Sequence, residues 1–421
     1  MSQKKSKVLI LGGASVHCKL VRAAQAKGLY VIVADYLAKE DSPAKQIADE
    51  AWRVDIYDID ILAQMAKKAA VKAILSTHLD PCQMPYSNLC RVLNLPCYGT
   101  PDAFFAMTNK EAFKQKCIEN GVGVIPDYSM ESIESGKAEF PLFVKPVDSR
   151  GSRGQTICNC IEDVKNATVV ASSESSNGKY IIEKYMNDKQ EVQITYFFVD
   201  GVPYLIRTVD SYKGLQPGME KVVVCATSPS RYTGNYIETA EQDVLRMFRN
   251  IGIKNGPVFM QGFVDEGVFR FFDPGLRFPG VDYELIYSEV FKTDLLDRMW
   301  TFALNGTMPS DGLPEDAWRL KGKCAAVLFP CMTAGCIGNI HGEDSLKSIH
   351  EIVSYSFRHR SGDVVKWTKD VNQRYAEIDM VADSSDVLAD RISQLNRDVF
   401  PCDCNGNNMQ FDAFDPTRVN G

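Results

Sequence analysis

The sequence of 421 residues lacks any hydrophobic run long enough to cross a membrane, which takes about 20 apolar residues in a helix. The apolar run near the N-terminus, Val8–Leu11, is also too short for the core of a signal peptide. We therefore expect a cytoplasmic protein with no membrane partner.

Basic charge is also scarce, because 54 Asp and Glu residues outnumber 47 Lys and Arg residues and give a net charge of −7. A nucleic-acid-binding protein normally carries an excess of Lys and Arg on its binding face. We therefore expect no nucleic-acid partner. A local cationic pocket for a small anion remains compatible with an acidic protein.

The 13 cysteines form no C-x-x-C pair, and the five histidines form no H-x-x-x-H pair. The tightest cysteine pairs, Cys158/Cys160 and Cys402/Cys404, could place two thiols on one face of a strand and so suit a metal. Zinc sites normally need four ligands and wider spacing. We therefore interpret the cysteines as free, reduced thiols.

The length favours about three domains at roughly 150 residues each. The order of the predicted strands and helices favours the fold class α/β and α+β. Residues 1–105 alternate strands with helices, which predicts a Rossmann-like domain with a parallel sheet. The chain becomes strand-rich from residue 141 to about residue 305, and residues 311–421 form a last region with a predicted helix near Leu346–Val353. Gly12, Gly13 and Asp35 suggest dinucleotide binding only weakly, because the order G-x-G-x-x-G is absent.

The segment Phe140–Gln155 combines an apolar strand, Leu142–Val144, with Lys145 and a loop that contains Gly151 and Gly154. A lysine at a strand end supplies a point charge for a phosphate oxygen, and glycines let backbone N–H groups approach a ligand closely. The loop is not a Walker A loop, because the order G-x-x-x-x-G-K-[ST] is absent. A surface hairpin with a solvated lysine is the alternative.

A second lysine, Lys110, falls in the first turn of a predicted helix. The spacing Thr108-x-x-Glu111 fits a capping box with Thr108 as the N-cap. A cation in the first turn opposes the helix dipole, so a phosphate partner would compensate for it. A solvated lysine is the alternative.

Two further segments complete a resemblance to the ATP-grasp enzymes, the superfamily of biotin carboxylase, carbamoyl-phosphate synthetase and the glycinamide ribonucleotide ligases. One is the strand and linker Lys179–Met186, followed by a strand from Glu191; the other is the hairpin Val258–Phe278. The resemblance implies a Rossmann-like front domain on the substrate side, an ATP-grasp core and a small C-terminal β-rich cap. The predicted boundaries are residues 1–105, 106–310 and 311–421.

The resemblance also implies which residues bind adenosine. Glu183 would lie beside the adenine amino group, and backbone groups of Lys184, Tyr185 and Met186 would bind the edge of the base. Glu191 would accept hydrogen bonds from the ribose hydroxyls, which suits a carboxylate. Two ordinary surface glutamates are the alternative for Glu183 and Glu191.

In the same way, the resemblance implies which residues bind the phosphates. Lys110 and Lys145 would contact phosphate oxygens. Ser152, Arg153 and Gly154 would belong to a glycine-rich flap that closes over the phosphates.

The magnesium site departs from the family's pattern, which has a glutamate on the first hairpin strand and Glu-x-Asn-x-Arg on the second. These positions hold Gln261, Asp273 and Gly275 here, and Arg277 alone keeps its type. The resemblance therefore implies Asp273 and Gln261 as metal ligands, with one carboxylate where the family has two. Arg277 and Lys145 would be the catalytic residues that neutralise charge on the transferring phosphate.

The resemblance implies a ligase that uses ATP and Mg²⁺ to convert a carboxylate to an acyl phosphate. The acyl group would then be joined to an amine, or to a thiol, with release of ADP and phosphate. The partners would be small-molecule carboxylate and amine substrates, and a homodimer is left open. The alternatives are a carboxylase-type member that uses bicarbonate, and a nucleotide-binding protein without ligase activity.

Three further polar residues have no assigned role in this scheme. His78 follows the predicted strand at residues 73–76, where the front domain would face the site, yet a core or surface role is favoured for it. Arg207 and Asp210 could face the acceptor substrate, and a surface ion pair between them is the interpretation we favour.

Overall fold

The front part of the chain alternates strands and helices. The structure is a computed structural model that describes residues 5–147, 154–175, 177–186, 188–281 and 283–419. The front elements are β1 (Lys7–Leu11), α1 (Cys18–Ala26), β2 (Tyr30–Asp35), α2 (Pro43–Ile47), β3 (Glu50–Arg53), α3 (Ile59–Ala69), β4 (Ala73–Leu75) and α4 (Asp80–Leu93). None of the helices in the described ranges is both long enough and apolar enough to cross a membrane.

The front sheet is parallel, with the strand order β3-β2-β1-β4. Its second strand from the edge, β1, is fully buried from Val8 to Leu11, as expected for a strand covered on both faces. The carboxyl ends of β1, β2 and β4 meet at one edge of the sheet, which is where open α/β sheets bind their ligands. The prediction of a Rossmann-like front region is confirmed.

The loop after β1 gives no support to dinucleotide binding. Asp35 Oδ1 lies 2.5 Å from Lys45 Nζ, and Asp35 Oδ2 accepts a 2.7 Å hydrogen bond from the Ser42 hydroxyl. A Cβ atom added to Gly13 would lie 1.8 Å from Ser42 Oγ. The Asp35 carboxylate is therefore already paired with Lys45 and Ser42, and the Ser42 side chain fills the space beside Gly13.

The middle of the chain contains two antiparallel sheets. Its elements are α5 (Pro101–Ala106), α6 (Lys110–Glu119), α7 (Met130–Glu134), β5 (Leu142–Pro146), β6 (Thr156–Cys158), α8 (Ile161–Glu174), β7 (Tyr180–Lys184), β8 (Gln190–Val199), β9 (Val202–Lys213), β10 (Val223–Ser228), α9 (Thr233–Thr239), α10 (Glu241–Ile251), β11 (Gly256–Asp265), β12 (Val268–Gly275), α11 (Tyr283–Phe291) and α12 (Leu295–Asn305). The small sheet has the order β6-β5-β7. Leu142 and Val144 of β5 are buried in its own core with residues of α8, so Phe143 and Lys145 point to the opposite face.

The last region supplies further strands and one helix. They are β13 (Cys324–Leu328), β14 (Cys331–Met332), β15 (Gly335–His341), β16 (Ile352–Phe357), β17 (Val364–Val365), β18 (Ala376–Ala382), α13 (Ser385–Asp398), β19 (Phe400–Asp403) and β20 (Gln410–Phe411). The helix predicted near Leu346–Val353 is wrong. A short 3₁₀ turn covers Glu343–Ser348, and the following residues form β16, which is held by pairing with β18.

The large sheet joins the middle and last regions. Its eight strands have the order β12-β11-β8-β9-β10-β13-β18-β16. The sheet therefore takes five strands from before residue 310 and three from after it. The division into three domains stays a prediction. The large sheet continues across the predicted boundary at residues 310 and 311.

Candidate functional site

The predicted nucleotide-binding residues meet in a cleft between the small and the large sheet. A cavity of about 260 Å³ lies there, and its lining includes Lys110, Lys145, Glu183, Lys184, Tyr185, Met186 and Glu191. Gly154 adopts φ +70° and lies against Pro146, while its neighbour Gln155 lines the cavity. Ser152 and Arg153 lie outside the described residues.

Glu183 is the centre of the charges on the small-sheet side of the cleft. It stands on β7, directly opposite Phe143 of β5, and is 5% exposed. Its Oε2 lies 2.5 Å from Lys145 Nζ, and its Oε1 lies 3.4 Å from Lys114 Nζ. Lys145 is thus held in place by a carboxylate rather than left to solvent. The alternative of a solvated lysine on a surface hairpin does not describe this geometry.

Lys114 is a charged neighbour of the cleft that was not predicted from the sequence. It lies on α6 one turn after Lys110, and besides Glu183 it forms an ion pair with Asp127. The spacing of four residues between Lys110 and Lys114 places both on one side of a helix, and this was the available signal.

Aromatic and apolar side chains form a slot beside these charges. The rings of Phe263 and Phe272 stack at 5.1 Å, and Ile125 and Met186 belong to the same apolar cluster. Such a slot suits the flat, apolar face of a purine base, with a few polar groups to fix its orientation.

The backbone N–H groups of Lys184, Tyr185 and Met186, predicted to bind the base, are only partly available to a ligand. The amide of Lys184 donates to Pro126 O at 3.0 Å, and the amide of Tyr185 donates to Pro141 O at 3.1 Å. Two of the three predicted backbone segments therefore already use their N–H groups within the protein. Among the described residues, the amide of Met186 is the one left to face a base.

Glu191 and Lys213 form the far wall of the cleft. Glu191 Oε2 lies 3.0 Å from Lys213 Nζ, and that ammonium group also lies 4.8 Å from the centre of the Phe263 ring. Glu191 is 8% exposed and stands at the start of β8, as predicted. It is thus a buried, paired carboxylate at the cavity wall, and not an ordinary surface glutamate.

The two predicted metal ligands are cross-strand neighbours in the large sheet. Gln261 of β11 stands opposite Asp273 of β12 on one side and opposite Gln193 of β8 on the other. Directly opposed residues have Cβ atoms about 5 Å apart, so their oxygens can converge. Asp273 Oδ1 also lies 3.0 Å from Lys110 Nζ. A β-bulge after Gln261 changes the register of the two strands at this point.

This donor set is poor in charge. One carboxylate and two amide groups offer the hard oxygen atoms that Mg²⁺ prefers, but within the described ranges no three His, Cys, Asp or Glu side chains come together as a metal site. All 13 cysteines are free thiols, as predicted. The residues present therefore fit a magnesium ion whose remaining ligands are phosphate and water.

At Gly275 the structure has no room for a metal-ligating side chain. A Cβ atom added there would lie 2.3 Å from Cε1 of Phe259, which stands directly opposite on β11. Phe259 is buried, so the ring has little room to move. The space that a ligating side chain at this position would need is filled by an aromatic ring.

Arg277 makes a two-point contact with the front region. Its Nε and Nη2 donate to the two carboxylate oxygens of Asp80 at 2.5 and 2.6 Å, and Nη1 donates to Phe278 O at 3.0 Å. The guanidinium group also lies over the Phe259 ring, 4.8 Å from its centre. Arg277 is thus rigidly oriented at the end of the hairpin, with its charge balanced by Asp80.

Lys110 lies at the start of α6, and the N-cap residue of this helix differs from the predicted one. Asn109 is the N-cap of α6, because its side chain accepts from the Ala112 amide at 2.9 Å. The capping box based on Thr108 is wrong: the Thr108 hydroxyl donates back to Phe104 O at 2.8 Å in the preceding turn. Lys110 still lies in the first turn, as predicted.

The prediction of a surface ion pair between Arg207 and Asp210 is wrong. Both residues are 2% exposed. Arg207 donates to Gln193 Oε1 at 3.3 Å and lies over the Tyr283 ring, whereas Asp210 accepts from Ser230 and Arg231. The two residues stand three positions apart on β9 and therefore point to opposite faces of the sheet. Arg207 therefore joins the polar residues beside the predicted metal ligands.

His78 is a buried core residue where the front region meets α11. Its Nδ1 lies 2.8 Å from the Thr77 hydroxyl, and its Nε2 lies 3.1 Å from Glu284 Oε1. Burial, together with the charge of Lys19, lowers the pKa of His78 to about 4. Burial alone would raise the pKa of Glu284, but Lys19 and the hydrogen bond from His78 hold it at about 2.

Two sheets that face each other across a charged cleft, with a lysine on the smaller one and a polar hairpin on the larger, define the ATP-grasp fold. The chain has this fold, and the resemblance seen in its sequence is confirmed. Residues 105–266 match the family model of the ATP-binding domain of the carbamoyl-phosphate synthase L chain.

Two curated relatives each match about half of the chain. The mitochondrial methylcrotonoyl-CoA carboxylase subunit alpha of Dictyostelium discoideum is 26% identical over 217 residues, which are 46% of this chain and 30% of that protein. Biotin carboxylase 1 of Bacillus subtilis is 22% identical over 249 residues, which are 53% of this chain and 54% of that protein. The chain thus spans about a third to a half of the length of these relatives.

Solved structures match nearly the whole chain. An L-amino acid ligase from Bacillus licheniformis matches with a TM-score of 0.77 and 16% identity, covering 96% of this chain and 100% of that one. A phosphoribosylglycinamide synthetase from Anaerococcus prevotii matches with a TM-score of 0.74 and 16% identity, covering 95% and 100%. At this identity the likeness establishes the fold.

Proposed function

We propose that the chain is an ATP-dependent ligase that joins a carboxylate to an amine or a thiol and releases ADP and phosphate. The observation that carries this proposal is one cleft that combines a lysine–carboxylate pair on the small sheet with an apolar slot and a polar hairpin. The proposal is supported by the fold and by relatives whose names describe ligases and carboxylases.

The nucleotide would bind with its base in the slot of Phe263 and Phe272. The Met186 amide would donate to the edge of the base, and Glu191 would accept hydrogen bonds from the ribose hydroxyls. Lys145 and Lys110 would then face the phosphates, where each cation offsets part of the phosphate charge.

Asp273 and Gln261 would hold Mg²⁺ from one side, with the phosphates and water as the remaining ligands. The ion would supply charge neutralisation at the phosphates. Arg277 would orient the reacting groups at the end of the hairpin, held there by Asp80. The substrate carboxylate would attack the γ-phosphorus, ADP would leave, and the amine would displace phosphate from the acyl phosphate.

A second candidate is a nucleotide-binding protein without ligase activity. The single metal-ligating carboxylate, the filled space at Gly275 and the charge balance of Arg277 by Asp80 favour it. A third candidate uses bicarbonate as the carboxylate, as the matched biotin carboxylases suggest. Assembly as a homodimer and a cytoplasmic location stay predictions.

A phosphate-release screen with ATP and Mg²⁺ separates these candidates. The ligase proposal predicts release of ADP and phosphate that depends on a carboxylate and an amine or thiol together. Release that needs bicarbonate supports the carboxylase candidate. Nucleotide binding without release under any pair of substrates supports the binding protein and contradicts the ligase.

A further inference from the structure

Two exposed cysteines lie side by side in the last region of the chain. Cys336 stands on β15, and Cys404 follows directly after β19. Their sulfur atoms are 3.5 Å apart, although the two residues are separated by 68 positions in the chain. The neighbour of Cys404 in space is therefore Cys336 and not Cys402, which is close in sequence but buried.

The pairing of β15 with β19 brings the two thiols together. Ile337 of β15 stands directly opposite Asp403 of β19. In antiparallel strands the next position along this ladder pairs Cys336 with Cys404. The Cα atoms of opposed residues are about 4.5–5.5 Å apart, which falls within the range of roughly 4.4–6.8 Å that a disulfide spans. The two strands can therefore accept a bond between these sulfurs without separating.

The backbone of Cys336 is held from its other side as well. β15 is the middle strand of a small sheet with the order β17-β15-β19, and Cys336 stands opposite Val364 of β17. The Ile337 amide donates to Asp363 O at 3.0 Å, and the Gly362 amide donates to Ile337 O at 2.8 Å. Cys336 is thus an exposed thiol on an ordered strand.

The backbone of Cys404 is held by a closed turn. Asp403 Oδ1 accepts from the amides of Asn405 and Asn407, each at 2.8 Å, and Oδ2 accepts from Asn407 Nδ2 at 2.9 Å. The Asp403 amide also donates to Asn407 O at 2.9 Å. This turn fixes where the chain leaves β19 and so keeps the Cys404 thiol beside β15.

Other cysteines lack either the exposure or the partner. Cys90 and Cys97 share a hydrogen bond, but Cys90 is fully buried. Cys160 is the third exposed cysteine, and its thiol is hydrogen-bonded to Asp163 at the start of α8. Access to an oxidant and a neighbouring thiol are the two conditions for forming a disulfide. Of the 13 cysteines, all within the described residues, the pair on β15 and β19 meets both.

We propose that Cys336 and Cys404 are a site of reversible oxidation, at which a low-molecular-weight disulfide converts the two thiols to one disulfide between β15 and β19. The site is independent of the proposed ligase function, because the lining of the nucleotide cleft includes neither cysteine.

The reaction is a pair of thiol–disulfide exchanges. One thiolate of the pair attacks a sulfur of the oxidant, forms a mixed disulfide and releases one molecule of the reduced oxidant as a thiolate. The second cysteine thiolate then attacks the protein sulfur of the mixed disulfide and releases the other half. The two protons lost by the cysteines pass to the two released thiolates. Both cysteines are oxidised by one electron each, and the oxidant takes up two.

Exposure makes this disulfide a reversible one. The same access that admits the oxidant admits a reducing thiol, and exposed disulfides are the labile ones. In a reducing compartment the pair stays as two thiols, and it closes when the surrounding thiols become oxidised.

Peptide mass spectrometry of the full chain tests the proposal. The reduced protein is incubated with glutathione disulfide, and the remaining thiols are then blocked with iodoacetamide. We expect a cross-linked pair of peptides that joins Cys336 to Cys404. Subsequent incubation with reduced glutathione should release it.

Cys160→Ser is the matched control, because it removes the other exposed thiol. This variant should form the same cross-link, and its intact mass should fall by that of two hydrogen atoms without gaining a glutathione. In Cys336→Ser a glutathione adduct on Cys404 should replace the cross-link, since the second exchange has no thiol to complete it. Cys404→Ser should show the converse adduct on Cys336.

Three results obtained with the wild type alone would overturn the proposal. They are separate glutathione adducts on Cys336 and Cys404 without a cross-link, two unmodified thiols, and a cross-link that joins other cysteines instead. A cross-link between Cys336 and Cys404 that reduced glutathione does not release would contradict the reversibility.

Discussion

At the scale of single residues, the cleft is organised by carboxylates that hold lysines. Glu183 holds Lys145 and Lys114, and Glu191 holds Lys213. The sequence could predict Lys145, Glu183 and Glu191 as candidate site residues, because each stands in a local pattern of strand and turn, and all three line the cavity. It could not predict these pairings, since the partners are between 22 and 69 residues apart in the chain.

Glu191 is expected to recognise the ribose through its hydroxyl groups. Glu191→Gln should reduce the preference for ATP over 2′-deoxy-ATP by roughly tenfold or more, because a charged acceptor is replaced by a neutral one. The measurement is the ratio of the two dissociation constants. Glu266→Gln, an exposed site in the hairpin turn, is the control. An unchanged ratio in Glu191→Gln would show that Glu191 does not contact the ribose.

The buried histidines give stability a dependence on pH. Burial lowers the pKa of His78 from 6.5 to about 4 and that of His17 to about 3, so the unfolded chain takes up protons that the folded chain does not. Stability should therefore be full above about pH 6.5 and fall as the pH drops towards 4. The loss at about pH 5 is on the order of 2 kcal/mol for each histidine.

The check is the melting temperature of the wild type and of His78→Asn at about pH 7.5 and about pH 5. The drop between the two pH values should be smaller in His78→Asn. His350→Asn replaces an exposed histidine and should keep the drop of the wild type. Equal drops in all three proteins would mean that His78 is not the group that takes up the proton.

At the scale of elements, the hairpin of β11 and β12 holds the two proposed metal ligands, Gln261 and Asp273. Its turn was predictable, because the sequence Asp265-Glu266-Gly267 between two apolar runs is typical of a tight hairpin turn. Glu266 and Gly267 adopt positive φ values of 51° and 82°, as such turns require. The filled space at Gly275 was not predictable, because it depends on Phe259 across the strand pair. The helix predicted near Leu346–Val353 failed for the same reason: pairing with β18 decides the structure of β16.

Substitutions of the two proposed metal ligands should have opposite effects on turnover. Asp273→Asn should abolish turnover while nucleotide still binds more weakly, because it removes the one carboxylate. Gln261→Glu should lower the magnesium concentration for half-maximal turnover, since an added negative charge attracts a divalent cation. The measurement is a magnesium titration of ADP formation with an active substrate pair. Full activity of Asp273→Asn would exclude this hairpin as the metal site.

At the scale of the whole molecule, buried contacts join the front region to the rest of the chain. Lys19 of α1 pairs with Glu284 of α11, and the Trp300 indole donates to Leu20 O at 3.1 Å. The front region and the large sheet also share one hydrophobic core. The front sheet could be predicted, because strands that alternate with helices along the chain pair in parallel. The eight-stranded sheet could not be predicted, since β10 pairs with β13 nearly a hundred residues later.

The small sheet has a core of its own, so the cleft lies between two bodies that a nucleotide would bridge. Lys145 stands on the small sheet, and the predicted metal ligands stand on the large one. The central claim is therefore that ATP binds in this cleft with its phosphates against Lys145.

Calorimetric titration with ATP and Mg²⁺ tests this claim most directly. Wild type should bind ATP, and Lys145→Ala should bind it more weakly by about 1.5–3 kcal/mol, the typical free energy of a charge-assisted contact. Lys179→Ala, an exposed lysine beside the same sheet, should bind like the wild type. Unchanged affinity in a folded Lys145→Ala, or no ATP binding to the wild type, would contradict the account.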